Sequence, residues 1–410
     1  LQSTEAAMRA TFGLAWLVAL LSCHTGCPFQ AALRRGARMR GCVFSKAEDV
    51  QTVPREHLKK LREILVESEV LSPSTRSNIR VAKLSAGFCN DVYACEVEQD
   101  ASGNKWRRFV VKLFSRLAEL RVDPAKSAVV DDMAGRLQIA ASLHYRNRFG
   151  LCHEMLPGTT LTEEDIHGTN GRPSVVLEIA RPIALLHASP IPEDFLQAGC
   201  VDDGNILLRA MDKMLEHVAR KEEEGQEVPK GLDLERLDAA VRHTKCVLGD
   251  LALPHVLGHG DLKPSNVVWS PSSGPKFIDF ELSGPNYRGF DLYKLFRTNA
   301  KESFRHDLFQ QFLQIYLQES EALRKASPST FDAGMEQLTT EVMMFEPITW
   351  LEAALFFVFA HAEDPNPRWA KLAVHRWERY WEKVHRLEEN AGKLAQHREP
   401  VTALASGGPV

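Results

Sequence analysis

The spacing of apolar residues after residue 50 predicts one helix followed by a small group of strands. In the segment 54–68, apolar side chains recur every three or four residues, as on one face of an amphipathic helix. These are Leu58, Leu61, Ile64 and Leu65. Residues 79–98 form two apolar runs around a turn, and the β-rich run FVVKLF follows a second turn, DASGNK. We therefore expect a small sheet with a helix before it.

From about residue 158 onward the apolar spacing is helical. A charged segment, KEEEGQEVPKG, separates two of these patterns as a surface linker, and no internal repeat is visible. The predicted helices lie within 177–188, 205–224, 234–253, 301–318 and 347–390. The chain is thus predicted to be an α+β protein with two lobes, a small β-rich N-lobe over 51–157 and a larger, mainly helical C-lobe over 158–392.

The two ends of the chain do not fit either lobe. Residues 1–50 combine a short apolar run, FGLAWLVALL, with a basic, acid-poor stretch, AALRRGARMR. The apolar run is shorter than the ~20 residues of a membrane-spanning helix, so no stable membrane span is expected. The segment is interpreted either as a signal or transit peptide or as leader sequence before a start at Met39. Residues 393–410 are predicted to be a disordered tail.

Composition narrows the class of protein. Among 410 residues, 44% are hydrophobic and 25% are charged, which is typical of a globular protein. The net charge of −4 gives no basic excess for nucleic-acid binding. The 8 cysteines are scattered and form no CxxC pair, so neither a zinc ribbon nor a disulfide framework is indicated. Reduced thiols favour a cytoplasmic location.

The candidate chemistry lies between residues 257 and 298. Two apolar pairs, VV at 267–268 and FI at 277–278, flank a turn rich in Ser, Pro and Gly, and predict a hairpin that brings three polar side chains together. Asp261 could accept a proton from a substrate hydroxyl, and Asn266 and Asp279 offer oxygen ligands for Mg²⁺, as phosphoryl transfer from ATP requires. Lys263 could meet the transferring phosphate.

Less specific interpretations of this segment are also open. The Asp and Asn residues could cap a solvated loop without any catalytic role. His259 is expected to be a packed histidine that supports the loop backbone rather than a catalytic base.

The motif HGDLKPSN followed by IDFE resembles the choline/ethanolamine kinase family, a group of aminoglycoside-phosphotransferase-like enzymes. The run GPNYRGFD after IDFE is similar to the choline/ethanolamine kinases in particular. The resemblance extends in order over about residues 80–390. It implies a protein-kinase-like fold, with ATP and Mg²⁺ as cofactors and phosphoryl transfer to an alcohol.

The same resemblance assigns nucleotide-binding residues in the N-lobe. LSAGFCNDVY is similar to the phosphate loop, VVKLF to the strand that carries the phosphate-contacting lysine, and FGLCHEMLPGTTL to the segment that receives adenine. The residues implied are Gly87, Asn90, Lys112, Glu154 and Leu156. The acidic partner of the lysine is not evident, with Asp131 and Asp132 as the nearest candidates.

The substrate-binding residues depart from the family pattern. Leu282 stands where the family usually has Tyr, Thr298 where it has Glu, and Ala353 and Phe356 where it has two tryptophans. The remaining candidates for holding an amino alcohol are acidic or aromatic: Glu281, Glu302, Glu352, Trp350, Phe356 and Trp369. A primary ammonium, which can donate hydrogen bonds to a carboxylate, is therefore favoured over a quaternary one.

The resemblance predicts a kinase of ethanolamine or choline that supplies a phospholipid head-group phosphate. Its partner would be the small amino alcohol, without nucleic acid, and a homodimer is compatible with it. A kinase of another small hydroxyl compound is the main alternative. A protein kinase is disfavoured because IDFE replaces DFG and no APE-type segment appears. An inactive scaffold is disfavoured by the intact Asp261, Asn266, Asp279 and Lys112.

Overall fold

The computed structural model describes most of the chain after residue 52. The described residues are 53–71, 79–86, 90–98, 106–121, 123–171, 174–196, 204–299, 304–324 and 331–396. The predicted leader, 1–50, lies outside them, as do two predicted site residues, Gly87 and Glu302.

A five-stranded antiparallel sheet forms the N-terminal part. The strand order is β1-β2-β3-β5-β4. The strands are β1 (Ile79–Ala86), β2 (Asp91–Glu98), β3 (Trp106–Leu113), β4 (Leu143–Asn147) and β5 (Gly150–Glu154). The first three were predicted, whereas β4 and β5, which are only five residues long each, were not.

Helix α1 (Arg55–Glu67) packs on this sheet through the apolar face that its sequence predicts. Leu61, Ile64 and Leu65 are buried in one cluster with Phe109 and other apolar side chains of the strands. Burial of side chains of this size stabilises by roughly 1.5–3 kcal/mol each. The helix therefore completes a separate small core for the sheet.

Helices dominate the rest of the structure, as predicted. Two helices, α2 (Arg116–Arg121) and α3 (Pro124–Arg136), follow β3 in the N-terminal part. The later helices are α4 (Glu163–Ile166), α5 (Ser174–Ala188), α6 (Glu193–Leu196), α7 (Ile206–Glu223), α8 (Leu234–Leu251), α9 (Arg288–Phe296), α10 (His306–Arg324), α11 (Phe331–Glu363), α12 (Pro367–Lys383) and α13 (His385–Gln396). Helix α13 includes residues 393–396, which are therefore helical and not part of a disordered tail; the rest of that predicted tail is outside the described residues.

Short strands hold the segment that carries the candidate chemistry. The predicted hairpin is confirmed: β8 (Val267–Ser270) pairs with β9 (Gly274–Phe277), with Val267 opposite Phe277. Two further pairs fix its surroundings, β6 (Thr159–Thr160) with β8, and β7 (His255–Gly258) with β10 (Gly284–Tyr287).

Helix α11 is the central apolar element of the C-terminal core. Its segment Ala333–Glu363 is long and apolar enough to cross a membrane by length and composition, but 94% of its most apolar window is buried inside the protein. It nevertheless carries buried glutamates, each in contact with a cation. Glu341 binds Arg288 through both carboxylate oxygens, and Glu346 contacts Lys383 and Arg386. Burial on all sides explains why its sequence lacks a polar face.

Candidate active site

Asp291 fixes the backbone of the loop that follows β7. This carboxylate is fully buried on α9 and accepts hydrogen bonds from the backbone N–H of His259 at 2.7 Å and of Gly260 at 2.8 Å. His187 Nε2 lies 3.2 Å from the same carboxylate. A charged acceptor shared by two successive amides holds the loop more firmly than neutral hydrogen bonds would.

His259 supports the loop from within. Its Nε2 lies 3.0 Å from the carbonyl oxygen of Ile278, and its Nδ1 lies 3.3 Å from the backbone N of Asp261. The two contacts define a neutral ring that donates from Nε2 and accepts at Nδ1. Burial lowers the pKa of His259, which favours that neutral form. The prediction of a packed, supporting histidine is confirmed.

Gly260 permits a close approach that no other residue could make. Its φ is +78°, and a Cβ atom would lie 1.9 Å from the carbonyl oxygen of Leu282. Any side chain would force Leu282, directly after the IDFE segment, away from the loop.

Asp261 lies in the centre of a group of charged side chains. One carboxylate oxygen is 2.8 Å from Lys294 Nζ and the other is 2.7 Å from Lys263 Nζ. Asn266 donates from Nδ2 to both the backbone oxygen and the carboxylate of Asp261. Burial alone would raise the pKa of Asp261, but Lys263 and Lys294 outweigh it and hold the pKa well below its usual value of 3.8. The carboxylate is therefore ionised at neutral pH.

Asp279 and Asn266 face the same space. Asp279 has a left-handed backbone, with φ +71° and ψ +57°, and contacts Lys112 through Oδ1. Its pKa would rise on burial, but Lys112 and Lys263 lower it overall. Among the described residues, the side-chain contacts of Asp279 are made through Oδ1 and those of Asn266 through Nδ2, which leaves Asp279 Oδ2 and Asn266 Oδ1 as available oxygen donors. Mg²⁺ is commonly bound through one or two such oxygens together with substrate phosphates, so the donors fit this ion.

Lys112 finds its acidic partners in the IDFE segment. Its Nζ contacts Asp279 and lies 3.2 Å from Glu281. Of the two candidates from the sequence, Asp131 is near enough to help raise the pKa of Lys112 but lies 2.8 Å from His153, and Asp132 pairs with Arg136. Neither is the direct partner of the lysine. Glu281, expected at the substrate, is instead part of this lysine site. The two carboxylates raise the pKa of Lys112 against the opposing effect of burial, so it stays charged.

The other predicted nucleotide-binding residues lie around this lysine. Asn90 is buried; its amide donates to Glu281 and accepts from the backbone N–H of Ser115 at 3.1 Å. Glu154 ends β5, and its backbone N–H donates a hydrogen bond to the carbonyl oxygen of Ser142. The backbone N–H of Leu156 has no acceptor among the described residues.

Glu352, another substrate candidate, is engaged by cations of the protein itself. Its Oε2 lies 3.0 Å from Lys294 Nζ, and its Oε1 accepts from Arg121. The carboxylate is 5% exposed, which leaves little surface for a ligand. Lys294 thus joins Glu352 to Asp261, and this link was not predicted. A lysine within the apolar helix segment FDLYKLF signals a buried acidic partner, because lysine is rarely buried alone.

The predicted aromatic residues do not form one cage. Trp350 is buried beneath three arginines, which we call the arginine cluster: Arg297, Arg376 and Arg379. Phe356 lies under Arg121, with 4.9 Å from the guanidinium carbon to the ring centre. Trp369 stacks on Phe357 at 5.8 Å. The spacing placed these rings on helices correctly, but their faces are taken by the protein's own side chains.

Sequence comparison identifies relatives over most of the chain. The profile of choline/ethanolamine kinases matches residues 81–381. Human ethanolamine kinase 2 is 26% identical over 224 residues, which is 54% of this chain and 54% of that protein, so the match spans about half of this relative. Rat ethanolamine kinase 2 is 25% identical over 318 residues, 74% of this chain and 76% of that protein.

Solved structures agree with the fold. A Plasmodium vivax ethanolamine kinase gives a TM-score of 0.64 at 15% identity, and the match covers 87% of this chain and 95% of that one. A choline kinase from Cryptosporidium parvum gives a TM-score of 0.61 at 16% identity, and the match covers 82% of this chain and 99% of that one. The predicted two-lobed α+β, kinase-like fold is confirmed. With the profile matching about three quarters of its length, the chain belongs to the choline/ethanolamine kinase family.

Proposed function

We propose that the protein transfers the γ-phosphoryl group of ATP to the hydroxyl of a small amino alcohol with a primary amine, of which ethanolamine is the simplest. One observation carries the proposal. Asp261, Asn266, Asp279 and Lys112 come from three separate parts of the chain and meet in one group of charged side chains, within the region matched by the family. Phosphoryl transfer needs little beyond this: a positioned hydroxyl, a metal site and cations near the phosphates.

Asp261 is the residue proposed to receive the substrate hydroxyl. An ionised carboxylate between two lysines orients the O–H and accepts its proton as the new O–P bond forms. Lys263, 35% exposed and 2.7 Å from the same carboxylate, is placed to meet the transferring phosphate. Lys294 is a positioning residue, because it is buried and contacts Asp261 rather than solvent.

Asn266 and Asp279 are proposed to hold Mg²⁺ through their remaining oxygens, and Lys112 to contact the phosphates. When bound, the ion would neutralise phosphate charge. The Leu156 N–H, which has no acceptor among the described residues, suits an adenine ring; Glu154 would contribute through its backbone. Gly87 and Asn90 belong to the proposed phosphate loop, where Asn90 supports the lysine site through Glu281.

A quaternary ammonium needs open aromatic faces and nearby carboxylates. The rings of Trp350 and Phe356 are covered by guanidinium groups, and Glu281 and Glu352 are bound to lysines or arginine. A primary ammonium can instead be held by hydrogen bonds to oxygen. These contacts favour ethanolamine-type acceptors over choline. A role in phospholipid head-group synthesis would follow from such a substrate. The cytoplasmic location that we propose rests on the scattered cysteines, which indicate reduced thiols.

The test is a panel of acceptors incubated with Mg-ATP and the full-length protein. We expect kcat/KM for ethanolamine to exceed that for choline. A clear preference for choline that is lost in Trp350→Ala, and retained in the partly exposed Trp369→Ala, would show that Trp350 forms a working cage and would contradict the primary-amine preference. Phosphorylation of an aminoglycoside or of a peptide, or no turnover at all, would favour the alternative kinases or a scaffold.

A further inference from the structure

Three guanidinium groups surround one buried indole near the candidate active site. The guanidinium carbons of Arg297, Arg376 and Arg379 lie 4.9, 5.1 and 5.6 Å from the ring centre of Trp350. Stacking on an indole stabilises each cation, but it also brings like charges together. The arginine cluster therefore concentrates positive charge on one patch.

Two of the three guanidinium groups have no carboxylate in direct contact among the described residues. Arg379 pairs with Glu382 at 2.6 Å, but no carboxylate of the described residues lies within 4.0 Å of Arg297 or Arg376. The Nε–H groups of Arg376 and Arg379 are buried without a hydrogen-bond acceptor in that part of the chain. Burial, and then the charge of Arg297, lower the pKa of Arg376 to about 10. A bound anion would neutralise the charge of Arg297 and Arg376 and could accept hydrogen bonds from the buried N–H groups.

Helix α9 links the arginine cluster to Asp261. Arg297 directly follows α9, the helix whose Lys294 contacts Asp261, and it donates to the backbone oxygen of Thr349. Thr349 is three residues before Glu352, so the two lie on the same face of α11, about one turn apart. Asp261 and Glu352 are close enough to raise the pKa of Arg297 against the larger effect of burial.

The patch is accessible from solvent. Arg297 and Arg376 are half-buried, and Asn299, which accepts from Arg376 at 2.7 Å, is exposed. Glu163 at the same edge is also exposed and accepts from the Thr298 hydroxyl at 2.8 Å. A ligand here would meet two cations without close anionic partners and one exposed carboxylate.

We propose that the phosphoryl acceptor carries a carboxylate in addition to its amine, and that Arg297 and Arg376 bind this carboxylate while Glu163 faces the ammonium group. This inference rests on the proposed kinase function and specifies its substrate class as a hydroxy amino acid. The hydroxyl would point toward Asp261. Arginine suits the role because its planar fork of N–H donors matches a carboxylate.

The experiment compares three acceptors that share the HO–CH₂–C unit: ethanolamine with an amine, 3-hydroxypropanoate with a carboxylate, and serine with both. We expect the intact protein to use serine with the highest kcat/KM. Arg376→Gln should lower kcat/KM for serine and 3-hydroxypropanoate by about 10- to 100-fold, the effect of losing one charged hydrogen-bonding partner. It should lower kcat/KM for ethanolamine much less, because ethanolamine has no carboxylate. Arg376→Lys should recover part of the loss.

Two controls separate this inference from the proposed function. Arg242→Gln removes the same charge from an exposed helix position and should leave all three values unchanged. Protection of the folded protein by propanoate, measured as a rise in Tm, tests the anion site without turnover, and should be lost in Arg376→Gln.

The outcomes are distinct. Preference for ethanolamine with no selective effect of Arg376→Gln would overturn the carboxylate site and leave the kinase proposal intact. If no acceptor is phosphorylated, the kinase proposal fails; the anion site then stands if Arg376-dependent protection by propanoate is seen, and is overturned if it is not.

Discussion

The charged groups around Asp261 and those around Trp350 are adjacent, yet they are balanced in opposite ways. We call the first group the catalytic cluster: Lys112, Asp261, Lys263, Asp279, Glu281 and Lys294. In it, every carboxylate contacts at least one cation of the protein. In the arginine cluster, two of the three guanidinium groups have no close carboxylate in the described chain. The carboxylates of the catalytic cluster are paired with the protein's own cations, whereas the arginine cluster is complementary to an anionic ligand.

The largest expected effect comes from removing an oxygen donor at the candidate metal site. Asp279→Ala should lower kcat with Mg-ATP on the order of 10³-fold or more, because the phosphates lose their metal anchor and Lys112 loses a partner. Steady-state assays across Mg²⁺ concentrations measure it. Wild-type turnover by a folded variant would mean that the catalytic cluster is structural only.

Asp261→Asn tests the same cluster with a more conservative substitution. The amide keeps the shape of the side chain but cannot accept the hydroxyl proton, and loss of a general base typically costs about 10²–10⁴-fold in kcat. Binding of ATP should persist, since Lys112 and Asp279 are unchanged. A variant with normal kcat would remove Asp261 from the proposed chemistry.

Glu352→Gln tests whether Glu352 stabilises the fold by pairing with buried cations. Its carboxylate neutralises Lys294 and Arg121, both buried, so its loss should destabilise the fold by about 3–5 kcal/mol in denaturant titrations. As a control, Glu56→Gln removes an exposed partner of Lys60 on α1 and should leave the midpoint unchanged. Equal midpoints for the two variants would show that Glu352 is not an electrostatic anchor.

The pH dependence of kcat/KM should be weak over the range in which Lys263 and Lys294 keep Asp261 ionised. Its folded pKa lies well below 3.8, so its stabilising effect is complete above that value and is lost only as the pH falls through the lowered pKa. We therefore expect no acidic limb from Asp261 in kcat/KM between about pH 5 and 8. An acidic limb that disappears in Asp261→Asn would contradict the low pKa.

The smallest effect is expected from the predicted leader. Residues 1–50 contribute none of the motifs in either cluster, so deleting them should leave kcat and Tm unchanged. A fall in either quantity would mean that this segment supports the N-terminal sheet.

The sequence was sufficient to predict contacts between site residues that are close together in the chain. Asp261 and Asn266 precede one hairpin and Asp279 follows it, so a pattern of two apolar pairs is enough to bring them together. It failed for Glu352 and Arg121, which are 231 positions apart and meet only through tertiary packing. It also assigned Trp350 to a ligand, because the spacing of aromatic residues along a helix does not reveal which arginines of other elements cover them.

Helix α11 also affects how the chain folds during its synthesis on the ribosome. It is made late in synthesis, and two of the helices that it packs against most extensively, α12 and α13, come after it in the chain. Until then the C-terminal part of the nascent protein exposes an unfilled apolar surface, and afterwards a segment resembling a membrane span must be buried quickly. Its glutamates would disfavour insertion into a bilayer. Nascent chains truncated before residue 331 should therefore bind chaperones, and release should follow synthesis of the last helices.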